Sequence, residues 1–314
     1  MKAKRALAGS LIGILISITL FACSTSPKSG TAVYERRNQA VGIAKKAEGL
    51  YAHGRYSEAL DLFKQALQLD IAVDYDEGII GTRVSMGKCY AAANMDAQAA
   101  DEYEQAERLA ARLGRAELLA SVSSYQAELK IKKGDYAAAQ EQLLAALKKA
   151  GQNRAAQALI LHNLGLCARA AESHEEAANY FSQAAAINLD LKERAEYASN
   201  CYMLSASLVK LGKAAVAREW ALKALGADRE AERSQGIAQD YYALGKIEGA
   251  AQNADEALFY YEKSLNVCLV ANEADLAAKV LAELVSLCAE RGDEASKARY
   301  EGLLLELKGL KAGK

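Results

Sequence analysis

The sequence predicts an all-α solenoid of about seven helix pairs with an approximately 40-residue period. Three observations predict it. Ala59, Ala99, Ala139, Ala177, Ala217 and Ala257 recur at steps of 40, 40, 38, 40 and 40 residues. Twelve positions before each of these markers stands a small residue: Ala47, Gly87, Ala127, Gly165, Ser205 or Gly245. Four positions after them come Phe63, Tyr103, Leu143, Phe181, Ala221 and Tyr261, and seven after come Ala66, Ala106, Ala146, Ala184, Ala224 and Ser264. That i, i+4, i+7 stripe belongs on one face of a second helix.

Residues 1–22 precede the repeats and have the zones of a secretory signal. Lys2, Lys4 and Arg5 open it, an apolar run extends from about Ala6 to Leu20, and the small Ala22 stands before Cys23. The run is shorter than the roughly 20 residues a comfortable membrane span needs. Leu20-Phe21-Ala22-Cys23 resembles the lipobox of a bacterial lipoprotein, with Phe21 a less usual occupant of its site. The resemblance implies cleavage before Cys23 and lipidation of Cys23 with a diacylglycerol and an N-acyl chain, a multi-chain anchor of the palmitate type. Ser24 in place of aspartate implies attachment to the outer membrane, facing the periplasm. Residues 23–37, with the chain's one proline at Pro27, then read as lipidated cysteine and flexible tether, and 38–314 as the solenoid.

Within each repeat the first helix carries the small residue, preceded in four copies by Met86, Leu164, Leu204 or Leu244. Five positions before the marker stand Gly54, Asn94, Gly134, Glu172, Gly212 and Gln252; glycine and asparagine tolerate the left-handed conformation that ends a helix, so the turn belongs there. Gly54-Arg55-Tyr56 with Ala59, Phe63 and Ala66, and Gly134-Asp135-Tyr136 with Ala139, resemble the signature of the tetratricopeptide repeat (TPR). The resemblance covers about residues 38–310 and implies a right-handed TPR-type α-solenoid. The family's common repeat is about 34 residues, so the period here requires an added helical turn or a longer connector. A last unit at about 274–310 keeps Gly292 in register but has Lys297 at the marker position, the departure expected of a capping repeat.

Charge and cysteines narrow the function classes. Removing Lys2, Lys4 and Arg5 from 39 basic residues leaves 36 against 40 acidic ones, a net charge of −4 with no basic patch, which argues against nucleic acid as a partner. Beyond Cys23, the cysteines at 89, 167, 201, 268 and 288 are odd in number and fall at different places in their repeats. They read as small buried side chains, with Cys268 and Cys288 the pair to inspect for a disulfide. No Cys/His spacing suits a metal, His53, His162 and His174 occupy different repeat positions, and Gly81 to Lys88 has the wrong spacing for a phosphate loop. Neither an enzyme nor a cofactor is predicted.

In tetratricopeptide arrays the first helices line the concave face. Projecting the helical period places Ser121, Ser124, Tyr125 and Glu128, then His162, Asn163 and Arg169, then Ser199, Tyr202 and Met203, then Gln239, Tyr242 and Lys246 towards that groove. Tyrosines with hydrogen-bonding neighbours suit an extended peptide or a partner helix, and the same tyrosines equally suit packing between helices. The family's carboxylate clamp is not matched, because Ala44, Glu48, Ser85, Ser121 and Tyr125 stand at its places. The expected role is a lipid-anchored periplasmic adaptor that binds another envelope protein and assists a secretion, pilus, outer-membrane or cell-wall assembly. The alternative is an oligomeric ligand-handling lipoprotein that partners a periplasmic solute-binding protein.

Overall fold

The computed structural model describes residues 29–312, and among them every regular element is an α-helix. The first three pairs are α1 (Ser29–Ala52) with α2 (Tyr56–Ala72), α3 (Asp76–Ala92) with α4 (Asp96–Arg112), and α5 (Ala116–Lys132) with α6 (Tyr136–Lys149). Then come α7 (Arg154–Ala170) with α8 (His174–Leu191) and α9 (Arg194–Lys210) with α10 (Ala214–Glu230). The last two pairs are α11 (Ser234–Ala250) with α12 (Ala254–Ala271) and α13 (Ala274–Arg291) with α14 (Glu294–Ala312). The signal segment 1–22 and Cys23 lie outside the described residues. α1 begins at Ser29, inside the stretch 23–37 read above as lipidated cysteine and tether.

The long period comes from helix length and not from longer connectors. Most helices run 17 residues and are joined by three-residue turns, so that two helices and two turns make the 40-residue unit. Each turn turns on one left-handed residue. Gly54, Asp74, Asn94, Gly114 and Gly134 follow one another at steps of 20 with φ between 50° and 80°. At the first of them, Arg55 N–H donates to Leu50 C=O at 3.0 Å and Gly54 N–H to Tyr51 C=O at 2.9 Å. Those two bonds cap the outgoing helix, while the Arg55 carbonyl accepts from Ala59 N–H and opens the next. The chain therefore reverses in the fewest residues that satisfy both ends.

The marker residues are the centre of the packing. Ala59, Ala99, Ala139, Ala177, Ala217 and Ala257 are all fully buried. Opposite them, glycine on the first helix is matched by an aromatic ring on the second. A Cβ at Gly87, Gly165 or Gly245 would stand 2.3, 2.6 or 2.5 Å from a ring carbon of Tyr103, Phe181 or Tyr261. Where the first helix carries Ala127 the second carries Leu143, and Ser205 faces the smaller Ala221, with Ser205 Oγ donating to Ala217 C=O at 2.8 Å. The first helix thus keeps the small residue in every repeat, and in the third and fifth pairs, where it is Ala127 or Ser205 in place of glycine, the second helix carries a smaller side chain, while the first pair packs Ala47 with Phe63. In the capping unit, where Lys297 replaces the marker, Tyr300 is buried instead and donates from its hydroxyl to Glu262 Oε1 at 2.7 Å.

Polar rungs interrupt this apolar seam where a second helix meets the next first helix. Thr82 donates to Asp70 at 3.1 Å, and the corresponding positions carry Asn188 with Asn200 and Asp228 with Asp240, all buried. Elsewhere the rung is apolar, Ala110 with Val122 and Cys268 with Val280. Cys89, Cys167, Cys201, Cys268 and Cys288 are buried thiols with no disulfide between them. Burial pushes Cys89 and Cys167 up to about 11 and Cys201 up to about 12, so they are inert apolar fillers.

Candidate functional site

First helices pack against first helices, α1 on α3, α3 on α5, α5 on α7, α9 on α11 and α11 on α13, whereas second helices are not drawn together in this way. The first helices therefore form the inner, concave wall. One junction is irregular. The 38-residue step in the sequence is α6, which has only 14 residues, and beside it α5 and α7 come into direct contact. Next in the wall, the backbones of α7 and α9 stand apart, and an open cavity of about 760 Å³ lies across α5, α7 and α9.

The floor of this cavity is a tied polar network. Asn163 is 1 % exposed, and its Nδ2 donates to Ser124 Oγ at 3.2 Å and to Glu128 Oε1 at 3.1 Å. Burial raises the Glu128 carboxyl above the usual range, and the Asn163 bond and the Lys88 charge pull it partly back. His162 Nδ1 lies 3.0 Å from Asn200 Oδ1, while Asn200 Nδ2 donates to the Glu196 carbonyl at 2.8 Å. With the amide so oriented, Nδ1 carries the proton and Nε2 is left as an acceptor. Burial lowers the pKa of His162 and Arg169 lowers it further, opposed by Asn200 and Glu196, so the ring is neutral at neutral pH.

At the α3 side, the Lys88 ammonium lies 5.4 Å from the Tyr51 ring and 5.6 Å from the Tyr125 ring, and Tyr125 stacks on Tyr103 at 5.9 Å. A lysine placed between two aromatic faces is oriented by them, at about 0.5–1 kcal/mol for each exposed cation–π contact. Lys132 is also engaged, donating to Asp96 Oδ1 at 2.7 Å and to the Ala91 carbonyl at 3.0 Å. The wall of the cavity is thus preorganised before anything enters it.

The projected groove residues divide. Ser121, Tyr125, Glu128, His162, Asn163 and Ser199 line the central cavity together. Asn163 and Ser124 were projected towards solvent but are buried, because a first helix inside the array is packed by second helices and by first helices on either side, leaving a narrow open arc. Arg169 and Met203 sit beyond the cavity, with Arg169 Nη1 2.6 Å from Met203 Sδ. Tyr202 packs against Ala185, Cys201 and Ala224, a core role. Gln239 is half-buried on α11 and does not line the cavity. Tyr242 donates to Glu283 Oε1 at 3.1 Å and leans on Tyr261, and Lys246 lines a separate groove of about 460 Å³ with Tyr261, Glu283 and Arg291. Lys88, Asn188, Glu193, Glu196 and Asn200 line the central cavity without having been singled out; the shortened step at Ala139–Ala177 is the signal that pointed to this junction.

No protein-family model matches the chain, and a sequence search of curated proteins also finds no match. Solved structures do match. NprR, a quorum sensor from B. thuringiensis, superposes with a TM-score of 0.66 at 16% identity over 88% of this chain and 79% of that one. The Rap conjugation gene regulator of the plasmid pLS20, in complex with the Phr* peptide, gives 0.64 at 16% identity over 94% and 80%. BtubC from P. vanneervenii gives 0.61 at 21% identity over 69% and 91%. At such identities the likeness is one of fold, and together with the seven helix pairs among the described residues it shows a TPR-type α-solenoid with an approximately 40-residue period.

Proposed function

We propose that this chain is a lipid-anchored adaptor of a bacterial envelope, whose inner wall takes an extended segment of a protein partner at the α5–α7–α9 cavity. The observation that carries the binding reading is that cavity: open, floored by Asn163, and bordered by His162 with an unused acceptor. Such a surface can bond a peptide backbone through amide and imidazole groups while Tyr125 and Leu166 contact side chains. Three first helices at about 8–10 Å spacing span about 20 Å, the length of about six extended residues. That the pLS20 Rap regulator is solved with a peptide supports the same use of the fold here.

The envelope address rests on residues 1–23, read above as a lipoprotein signal. Anchoring would act by proximity, holding a captured partner near the membrane at a raised local concentration. The Cys23→Ser variant of the full chain is expected to leave the membrane fraction and to lose incorporation of labelled palmitate. Retention of both in the variant would overturn the anchor.

A further inference from the structure

We infer that the free face of α14 is an interface between two copies of this chain, packed antiparallel about a two-fold axis. On its inner side α14 buries Tyr300 in the core it shares with α12 and α13, with Leu303, Leu304 and Leu307 partly buried around it. On the opposite side stand Ala295, Ala298, Gly302, Leu305 and Gly309, all exposed, with Leu305 at 70 %. A helix that ends a repeat array ordinarily turns a polar face outward. Here the five residues follow one another at steps of three and four and none is charged, which is the pattern of a coiled-coil seam. Leu305 also stands eight positions after Lys297, and eight positions after the markers of the fourth, fifth and sixth pairs stand Ala185, Leu225 and Leu265. Those three are buried where a second helix meets the next first helix, beside Cys201, Leu244 and Leu281. α14 therefore carries the stacking surface of an internal repeat, and no described element covers it.

The charges beside the seam select its occupant. Glu301 and Lys308 border one side of it, Arg299 and Glu306 the other. The members of each pair stand seven residues apart, about 10 Å along the helix, too far to bond each other. Lys297 bonds Glu294 at 3.1 Å and feels Glu301 at longer range, and Arg299 lies over the ring of Tyr300. A second α14 laid antiparallel, with the two-fold axis between residues 303 and 304, brings Leu305 level with the partner's Gly302 and Ala298 level with the partner's Gly309. An added Cβ at Gly302 or Gly309 would meet nothing within 4 Å, so the two backbones can approach closely. Antiparallel packing about such an axis sets like flanks together. Glu301 then lies about 3 Å of helical rise from the partner's Lys308, and Arg299 the same from the partner's Glu306. Symmetry doubles these to four pairs of opposite charge, whereas parallel packing would set Glu301 against the partner's Glu306. An isologous contact of this kind closes at two copies, while stacking α14 on the α1 of another copy would repeat without end.

None of these residues lines the α5–α7–α9 cavity, so the dimer is tested separately from the peptide groove. One helix pair buries less than the roughly 1,600 Å² of a standard interface, which sets the expected dissociation constant in the micromolar range. Sedimentation equilibrium of the full-length chain in excess non-ionic detergent, across that range, is expected to show monomer and dimer alone. Leu305→Glu, which places two like charges beside the axis, should weaken the dimer about tenfold. Glu301→Lys, which faces the partner's Lys308, should weaken it about fivefold. Adding Lys308→Glu to Glu301→Lys should restore it, because the same pairs re-form with their signs reversed. The three replaced side chains are exposed, so helix content by circular dichroism should not change. A monomer throughout, a dimer indifferent to Leu305→Glu, or assemblies that keep growing with concentration would overturn the α14 contact. Loss in Glu301→Lys without recovery in the double reversal would overturn the antiparallel arrangement.

Discussion

Gly165→Ala and Gly226→Ala, the same substitution inside two helices of one chain, are expected to change stability in opposite directions. In a helix interior alanine is favoured over glycine by about 0.5–1 kcal/mol, because glycine loses more backbone freedom on folding. At Gly226 in α10 a Cβ meets nothing within 4 Å, so that gain is realised. At Gly165 in α7 the Cβ stands 2.6 Å from Phe181 Cε1 and 2.8 Å from two more ring carbons, and the ring is fully buried with no room to withdraw. Overpacking of this kind costs about 1–3 kcal/mol, which exceeds the helical gain, and Gly165→Val should be worse still. The chain also contains its own remedy. In the third pair Ala127 faces Leu143, so Phe181→Leu added to Gly165→Ala should recover most of the loss, leaving the double variant more stable than the sum of the single changes. Because repeat arrays open unit by unit, amide hydrogen exchange within α7 and α8 is the appropriate readout. Equal protection changes for Gly165→Ala and Gly226→Ala would contradict the packing account.

Asp240→Asn is expected to stabilise the α10–α11 junction, increasingly so as pH rises. Asp240 is 1 % exposed, and burial together with the adjacent Asp228 holds its carboxyl up at about 9, against the pull of Arg233. Asp228, also pushed up by burial, has Arg233 at 3.3 Å and is the member of the pair that carries the charge. Gly236 makes room for it, since a Cβ there would overlap the Asp228 carboxyl. An unfolded aspartate titrates near 3.9. Between about 4 and about 9 the folded chain therefore holds a proton that the unfolded chain has lost, and folding stability falls with rising pH by about 1.4 kcal/mol per unit. The decline stops once Asp240 ionises in the folded state as well. Asparagine keeps the shape and a donor towards Asp228 but does not titrate. Its advantage over the parent should thus grow by about 4 kcal/mol between pH 5 and pH 8, measured as exchange protection of α11 in both proteins. An advantage that is the same at both pH values would show that the pair is not proton-linked.

These two junctions mark what could be read from the sequence and what could not. The glycine, aromatic and alanine positions follow from the period, because each must repeat for helices to stack at constant spacing, and the left-handed turn residues follow for the same reason. Even Glu172 and Gln252, which glycine-based rules would pass over, were located by register and do adopt positive φ. The Asp228–Asp240 rung could not be read in this way. Its position is shared by Ala110 with Val122 in another pair, and only the contact between α10 and α11 brings the two carboxyls together. The cavity was half legible. Tyr125, Glu128, His162, Asn163 and Ser199 were placed on the inner wall and line the cavity, but a helical projection does not show how much of each first helix its neighbours cover, and so it did not show that Asn163 is a buried floor or that Ser124 is buried away from the cavity. Tyr202 and Tyr242 followed the packing role that tyrosine also serves.

The inner wall and the outer face differ in what they can hold. Ser199 on α9 lines the cavity, whereas Gln183 on α8 is exposed on a second helix, away from the first-helix wall. The most direct measurement is photo-crosslinking in native membranes from a photoreactive residue at Ser199, compared with the same residue at Gln183, followed by mass spectrometry of the captured chains. The account predicts one envelope protein captured from Ser199 and not from Gln183. Capture from Gln183 alone, or only crosslinks between copies of this chain at Ser199, would contradict it and favour the oligomeric, ligand-handling alternative.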